Sequence, residues 1–175
     1  VFNGTDTFSS AYLARQMGAL PPIGTSILAL AHRIVQGHGT DFGACDAILR
    51  EAKHSRPGFE PVIASMVADC YNYENAVKNV IMRLASNGSG DICVTRPDSG
   101  DYIDTVMFVV KQAVEKEIFT IEFGKKVATT LRYLQGDSMN PAKVNKVLYA
   151  IASYMDCAAT AWGIFGVGGW LRNTP

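Results

Sequence analysis

The sequence lacks an excess of charge of either sign. Its 175 residues carry 16 Lys and Arg against 16 Asp and Glu, so the formal net charge is zero. Proteins that bind nucleic acid normally carry a basic excess, which attracts the phosphates. We therefore expect no nucleic-acid partner, and any bound anion must be held by a local arrangement of groups rather than by the field of the whole surface.

Paired cysteines and long apolar runs are also missing. The four cysteines are widely spaced and form no C-x-x-C pair, which argues against a zinc site and against a disulfide framework. We expect small buried thiols in a reducing cytoplasm. No apolar stretch reaches about 18 residues, so no membrane span is expected.

Apolar residues are plentiful, at 48% of the chain, which is enough for one domain with a hydrophobic core. The chain begins at Val1 inside an apolar run and ends at Pro175 without a closing helix. We therefore expect residues 1–175 to be a single catalytic portion of a longer protein, truncated at both ends.

Short apolar runs alternate with segments of helical periodicity along the chain. Strands are predicted near Phe2 and over residues 61–67, 92–94, 130–134 and 164–165, with a short apolar run at 23–30. Helices are predicted over residues 8–17, 40–53 (capped by Thr40 or Asp41), 74–84, 104–114 and 141–154. Repeated strand–helix units of roughly 30 residues predict an α/β fold with parallel strands and right-handed connections. The pattern alone does not decide between an open sheet and a closed barrel.

Acidic residues and glycines follow the predicted strands. The residues in question are Asp6, Asp69, Asp98 and Asp137, each after a different strand, and Gly166, Gly168 and Gly169 after the last. In parallel α/β folds, ligands bind at the carboxyl ends of the strands. A single Asp in such a place is more often a helix N-cap, but four at equivalent positions favour a binding site.

The residue types indicate the chemistry of the ligand. Glycines that precede a helix expose backbone N–H groups to a phosphate. Arg96 can pair with phosphate oxygens in a bidentate fork. Carboxylates can bind ribose hydroxyls or a magnesium ion, and can stabilise a cationic sugar. A phosphorylated sugar satisfies all three expectations.

Four motifs resemble the nicotinamide phosphoribosyltransferase family in order and spacing. They are Gly4-Thr5-Asp6-Thr7, Arg96-Pro97-Asp98-Ser99-Gly100, Gln135-Gly136-Asp137 and Phe165-Gly166-x-Gly168-Gly169. The segment Gly24-Thr25-Ser26, followed by Ala31-His32, resembles the histidine segment of that family. The resemblance implies a partial βα barrel of the type II phosphoribosyltransferases, with parallel strands inside and helices outside. It also implies the reaction of nicotinamide with phosphoribosyl pyrophosphate to give nicotinamide mononucleotide and pyrophosphate, in a cytoplasmic homodimer.

The same resemblance implies roles for individual residues. Asp6 and Ser26 would bind the nicotinamide amide, and a carboxylate at position 6 would repel a nicotinate anion. Arg96 would contact the ribose and the pyridine, with Asp98 beside it as a catalytic carboxylate. The remaining roles concern the phosphorylated ribose and the histidine. Gly136 and Asp137 would bind the ribose hydroxyls, Gly168 and Gly169 the 5′-phosphate, and His32 would be the catalytic histidine that ATP phosphorylates. Magnesium would accompany phosphoribosyl pyrophosphate, and no metal site made of protein ligands is predicted.

Three positions depart from the family pattern. Ala31 and Arg33 flank His32 where the family has a Glu and a small hydroxyl residue, and Asn72 replaces a carboxylate. These departures keep open a non-catalytic homologue that binds sugar phosphates. A second alternative is a nicotinate phosphoribosyltransferase, which shares the barrel and against which Asp6 argues. A sugar-phosphate aldolase or isomerase is less favoured, because no candidate Schiff-base lysine follows a strand.

Overall fold

The computed structural model describes residues 28–55, 57–58, 61–136, 139–154 and 156–166. Within them, five parallel strands form one sheet, in the order β1-β2-β3-β6-β7. These strands are β1 (Leu28–Ala29), β2 (Ile63–Val67), β3 (Ile92–Arg96), β6 (Leu131–Gln135) and β7 (Gly163–Phe165). The predicted α/β fold with parallel strands is thereby confirmed. The strand near Phe2 and the helix over residues 8–17 lie outside the described residues.

The order of the strands distinguishes the two architectures that the sequence left open. Each strand of the sheet pairs with the next sheet strand along the chain, and the order never reverses. An open doubly wound sheet reverses its order at a switch point, whereas consecutive parallel neighbours are the arrangement of a βα barrel. The described sheet is therefore an arc of a βα barrel, in agreement with the partial barrel that was predicted.

Five helical segments connect and cover the strands. They are α1 (His32–His38), α2 (Asp41–Ser55), α3 (Tyr73–Asn75, a π-helical stretch Ala76–Ile81, then Met82–Ala85), α4 (Tyr102–Glu115) and α5 (Pro141–Ser153). Thr40 caps α2, because its hydroxyl accepts a hydrogen bond from the Gly43 amide at 3.1 Å. A 3-10 turn, Ala159–Ala161, precedes β7. The predicted helices agree with these bounds to within about two residues, the usual uncertainty of helix ends, but α1 was not predicted.

The two faces of the sheet differ in their burial. Neighbouring residues of a strand point to opposite faces, and Tyr133 faces α4, since its hydroxyl lies 3.3 Å from that of Thr105. In β2, β3 and β6, the strand residues on the Tyr133 face are buried, among them Met66, Cys93 and Leu131. The other face is more open, and carries Ile63 and Ile164 exposed. The helices therefore cover one face of the sheet, as they cover the outside of a barrel.

A β-hairpin that the sequence did not predict lies between α4 and β6. Its strands are β4 (Phe119–Glu122) and β5 (Lys125–Ala128), which pair antiparallel. Phe123 and Gly124 make the turn, and both have positive φ, 49° and 75°. Turns of two such residues match the twist of a hairpin, and Gly is common in them, but Phe is not.

The cysteines are free thiols, as expected from their spacing. Cys45, Cys93 and Cys157 are buried and Cys70 is partly buried. Burial raises the pKa of Cys45 and of Cys93 to about 12, so both remain protonated. In the part of the chain that the structure describes, no helix combines the length and the apolar character needed to cross a bilayer.

Candidate active site

Functional side chains gather where the parallel strands end. His32 begins α1, just after β1; Asp69 follows β2 by two residues; Arg96 ends β3, and Asp98 follows it by two. Because the strands are parallel, their carboxyl ends meet at one edge of the sheet, which we call the site edge. Gly136 directly follows β6 at the same edge.

Asp69 is the centre of the hydrogen bonds at the site edge. Its Oδ1 lies 3.0 Å from His32 Nε2. Its Oδ2 accepts a hydrogen bond from the Ser99 hydroxyl at 2.6 Å and one from the Asp98 amide at 3.1 Å. One carboxylate thus joins the turns that follow β1, β2 and β3. The Asp69 side chain is only 9% exposed, which keeps these bonds from exchanging freely with water.

The surroundings of Asp69 favour its charged form. Burial by itself would raise the pKa of this carboxyl. The hydrogen bonds from Ser99, from the Asp98 amide and from His32 outweigh burial, and the pKa of Asp69 lies below its ordinary value. Asp69 is therefore a carboxylate, able to hold His32 by accepting a hydrogen bond from an N–H of its ring.

Arg96 and Asp98 form an ion pair beside this cluster. One terminal nitrogen of Arg96 lies 3.0 Å from Asp98 Oδ2, and the two side chains are 26% and 35% exposed. The same Oδ2 lies 3.9 Å from His32 Nδ1. Both ring nitrogens of His32 therefore face carboxylates, Asp69 closely and Asp98 at longer range.

Two buried polar atoms on the Arg96 face of the sheet have no hydrogen-bond partner among the described residues. They are Arg96 Nε and Ser65 Oγ. Ser65 is 2% exposed and shares this face because it pairs in register with Val94. A buried donor without a partner costs free energy of about 1–3 kcal/mol, which a ligand or a water molecule can recover. These atoms are consistent with a polar ligand on this face.

The helices that start at the site edge are capped by other residues. The N-caps are Asn72 for α3, Asp101 for α4 and Asn140 for α5, each accepting a hydrogen bond from a backbone amide of the first turn. Asp69 and Asp98 therefore do not serve as N-caps. Their carboxylates remain available for His32, Arg96 and a ligand.

The glycine turns after β6 and β7 lie in contact with each other. The Gly166 amide donates to the carbonyl of Gln135 at 2.9 Å. A Cβ on residue 166 would approach Gly136 Cα to 3.3 Å, which is closer than most side-chain contacts. The glycines thus allow a close backbone approach, as in turns that present amides to a phosphate.

The structure places four of the predicted site residues at one edge: His32, Arg96, Asp98 and Gly136. The other five, Asp6, Ser26, Asp137, Gly168 and Gly169, lie outside the described residues, so their roles remain predictions. Asp69 was expected at this edge, but no role was assigned to it, and Ser65 was not singled out. The offset of Asp69, two residues past its strand as for Asp98, is a signal that sequence reasoning could have used.

Comparison with known proteins finds a relative that matches nearly the whole chain. A nicotinamide phosphoribosyltransferase of Xanthomonas campestris pv. campestris is 31% identical over 176 aligned residues, which cover 97% of this chain and 36% of the relative. The chain spans about a third of the length of this curated relative. No family profile matches the chain.

A solved structure supports the fold described above. The crystal structure of a nicotinate phosphoribosyltransferase from Porphyromonas gingivalis superposes with a TM-score of 0.53 at 18% identity, and the match covers 88% of this chain and 34% of that one. At this identity the likeness concerns the fold alone. It agrees with the arc of a βα barrel described above.

Two of the departures noted in the sequence have a structural account. Asn72, which replaces a carboxylate, caps α3 by accepting a hydrogen bond from the Asn75 amide at 2.9 Å. His32 lacks an acidic neighbour in sequence, but Asp69 supplies one from the next strand. The structure gives no partner or role for Arg33.

No cluster of three or more His, Cys, Asp or Glu side chains suited to a metal ion occurs among the described residues. Asp98 and Asp69 are nevertheless oxygen donors of the kind that magnesium prefers. Such donors fit an ion that is carried mainly by the phosphates of a substrate, with one or two protein carboxylates beside it.

Proposed function

We propose that this chain is the catalytic barrel portion of a nicotinamide phosphoribosyltransferase that acts in NAD salvage. The reaction would join nicotinamide to phosphoribosyl pyrophosphate, giving nicotinamide mononucleotide and pyrophosphate. The observation that carries the proposal is the meeting of His32, Asp69, Arg96 and Asp98 at the ligand-binding edge of a type II barrel arc. The 31% identity to a nicotinamide phosphoribosyltransferase supports the choice of reaction.

The proposed chemistry is a substitution at the first carbon of the ribose. The bond from this carbon to the pyrophosphate oxygen breaks, and the electron pair leaves on pyrophosphate. The ring nitrogen of nicotinamide then supplies the pair for the new bond. Positive charge develops on the ribose carbon in between, and a fixed carboxylate such as Asp98 would stabilise it. When bound to the pyrophosphate, magnesium would neutralise the charge of the leaving group.

Arg96 is proposed to contact both the ribose and the pyridine. One terminal nitrogen is engaged by Asp98, while Nε is buried without a partner in the described part of the chain. A guanidinium held on one side by a carboxylate keeps a fixed orientation, and its remaining donors can bind a ligand. The glycine turns at Gly136 and Gly166 are proposed to receive the ribose hydroxyls and, with Gly168 and Gly169, the 5′-phosphate.

His32 is proposed to couple the reaction to ATP. Asp69 holds Nε2, so the ring proton is placed there and the lone pair of Nδ1 is presented toward Asp98. Nδ1 would form a bond to the terminal phosphorus of ATP, while the bond from that phosphorus to the bridging oxygen breaks and ADP leaves with the electron pair. The Arg96 charge beside Asp98 would lessen the repulsion of the incoming phosphoryl group.

Several parts of the proposal concern the natural protein that carries this sequence. We propose that it is a homodimer and that it acts in the cytoplasm, where free buried thiols such as those of this chain are usual. Asp6 and Ser26 are proposed to bind the amide of nicotinamide and to disfavour nicotinate.

A competition assay tests the proposed function. The natural protein would be given phosphoribosyl pyrophosphate and magnesium with equal concentrations of nicotinamide and nicotinate, and both mononucleotides would be quantified. We expect nicotinamide mononucleotide to predominate, and to form faster when ATP is added. Predominance of the nicotinate product would show that nicotinate, not nicotinamide, is the substrate. Binding of phosphoribosyl pyrophosphate in calorimetry with neither product formed would indicate a non-catalytic homologue instead.

A further inference from the structure

The hydroxyl group of Tyr133 lies between two of the turns at the site edge. Tyr133 is in β6 and is 1% exposed. Its hydroxyl donates to Gln135 Oε1 at 3.0 Å, and lies 3.3 Å from the hydroxyl oxygen of Thr105 in α4. One buried group thus contacts the end of β6 and the first turn of the helix that follows β3.

The Thr105 side of this contact leads to the turn that carries Asp98. The Thr105 hydroxyl lies 2.9 Å from the carbonyl of Asp101, to which it can donate its proton, and its amide donates to the same carbonyl at 3.0 Å. Gly100 has a φ of 88°, and a Cβ there would meet the Thr105 methyl group at 3.3 Å. Thr105 is therefore packed against the turn over residues 97–101 and holds it to α4.

Gln135, the other contact of the Tyr133 hydroxyl, connects to the two glycine turns. Gln135 is 6% exposed and directly precedes Gly136. Its carbonyl accepts the hydrogen bond from the Gly166 amide. A change in the position of Gln135 would therefore move the turn after β6 and the turn after β7 together.

We propose that Tyr133 is a positioning residue, which fixes the distance between the Asp98 turn and the Gly136 turn and so determines the affinity for the phosphorylated ribose. The inference rests on the proposed function, in which these two turns bind opposite parts of phosphoribosyl pyrophosphate. Burial raises the pKa of Tyr133 to about 12, so the hydroxyl keeps its proton and remains a donor throughout the physiological range. Tyr133 itself faces the helices and does not touch the substrate.

The kinetic test replaces Tyr133→Phe in the natural protein, which removes only the hydroxyl. We expect the KM for phosphoribosyl pyrophosphate to rise about tenfold, as for the loss of one buried hydrogen bond, while the KM for nicotinamide changes less than about twofold. The matched control is Thr130→Val. Its hydroxyl donates to the Ala85 carbonyl at 2.6 Å at the opposite end of β6, so its loss weakens the fold without touching the site edge.

An unchanged KM in Tyr133→Phe would overturn the inference, and so would an equal rise in Thr130→Val, since the effect would then be one of general stability. Thr105→Val tests the same contact from its other end and is expected to raise the same KM. It decides the question if Tyr133→Phe does not fold.

Hydrogen exchange separates this inference from the proposed function. In Tyr133→Phe, we expect amides of residues 98–101 and 135–136 to exchange faster than in the parent, and not to do so in Thr130→Val. Equal exchange in both variants would overturn the positioning role. If the parent transfers no phosphoribosyl group to either pyridine, the proposed function fails, and the exchange result still decides whether Tyr133 holds the two turns.

Discussion

The carboxylate of Asp69 and the imidazole of His32 meet at 3.0 Å although 37 positions separate them in sequence. They come from the turns after two neighbouring strands, and the parallel register of β1 and β2 brings these turns side by side. Asp69 also accepts hydrogen bonds from Ser99 and from the Asp98 amide. A single side chain therefore organises three turns of the site edge, which makes it the most informative position to change.

Replacement of Asp69 by Asn should reduce catalysis far more than it reduces folding. The amide keeps the shape of the side chain but loses the charge that orients His32. We expect kcat for phosphoribosyl transfer in the presence of ATP to fall about a hundredfold, the usual cost of losing one fixed electrostatic partner. Asp46→Asn is the control, because Asp46 pairs with Arg50 on the surface of α2. A rate within twofold of the parent for Asp69→Asn would show that His32 needs no carboxylate partner.

Replacement of Arg96 by Lys should weaken ligand binding although the charge is retained. A lysine cannot hold Asp98 and present further donors in a fixed plane at the same time. We expect kcat/KM for phosphoribosyl pyrophosphate to fall by roughly ten- to a hundredfold, the equivalent of one charge-assisted hydrogen bond. Arg50→Lys, at an exposed ion pair, should leave it unchanged. Equal kinetics for Arg96→Lys and the parent would remove Arg96 from the proposed site.

Replacement of Gly166 by Ala should disturb the paired glycine turns. The new methyl group would lie 3.3 Å from Gly136 Cα, so the turns must separate, at a cost of about 1–3 kcal/mol. We expect a higher KM for phosphoribosyl pyrophosphate and a lower melting temperature. Gly37→Ala is the control: no atom lies within 4 Å of its added Cβ, in the last turn of α1, so the methyl group should be accommodated without loss of activity or stability. A Gly166→Ala protein as active as the parent would show that the close approach has no function.

Acidification should weaken the fold through two carboxylates, Asp69 and Asp91. Burial raises the pKa of Asp91, but its bonds to Lys53, Ser89 and the Val62 amide outweigh this, so for both residues the pKa is below the ordinary value of 3.8. A carboxyl whose folded pKa is lowered stabilises the fold fully above its unfolded pKa, and this stability is lost as the pH falls through the folded pKa. Urea unfolding of the parent and of Asp69→Asn, from about pH 7 to about pH 3, should therefore show a difference that shrinks below about pH 4. A difference that grows on acidification would contradict the assignment.

Much of the fold was predictable because buried apolar residues recur in the sequence with the period of a strand or of a helix. The strands at residues 63–67, 92–96 and 131–135 appear as apolar runs, and the helices α2, α4 and α5 carry apolar stripes. The hairpin was missed because its turn, Phe123-Gly124, places a bulky residue at positive φ where Asn or Asp is usual. Helix α1 was missed because seven residues carry too little periodicity.

The candidate site was predictable only in part, because a sequence motif indicates which residues belong to a site but not which atoms they contact. Arg96 and Asp98 stand in one motif, but only the structure shows that they pair. Ser65 lies in an apolar run that resembles any buried strand, and only the sheet register places it on the face of Arg96. In the sequence, Tyr133 likewise resembles any residue of a packed core. The contacts of its hydroxyl depend on the positions of Thr105 and Gln135, which only the structure gives.

The hairpin of β4 and β5 follows α4, so it lies at the end of the sheet away from the catalytic turns. Its tip is fully accessible, with Phe123 exposed to solvent, while β5 is tied to residues 156–158 by backbone hydrogen bonds of Lys126. A fluorophore or an affinity tag spliced between Phe123 and Gly124 would therefore leave the reaction chemistry undisturbed. The same loop can change in length without moving the site edge, which makes it the natural point of attachment for immobilising or labelling the protein.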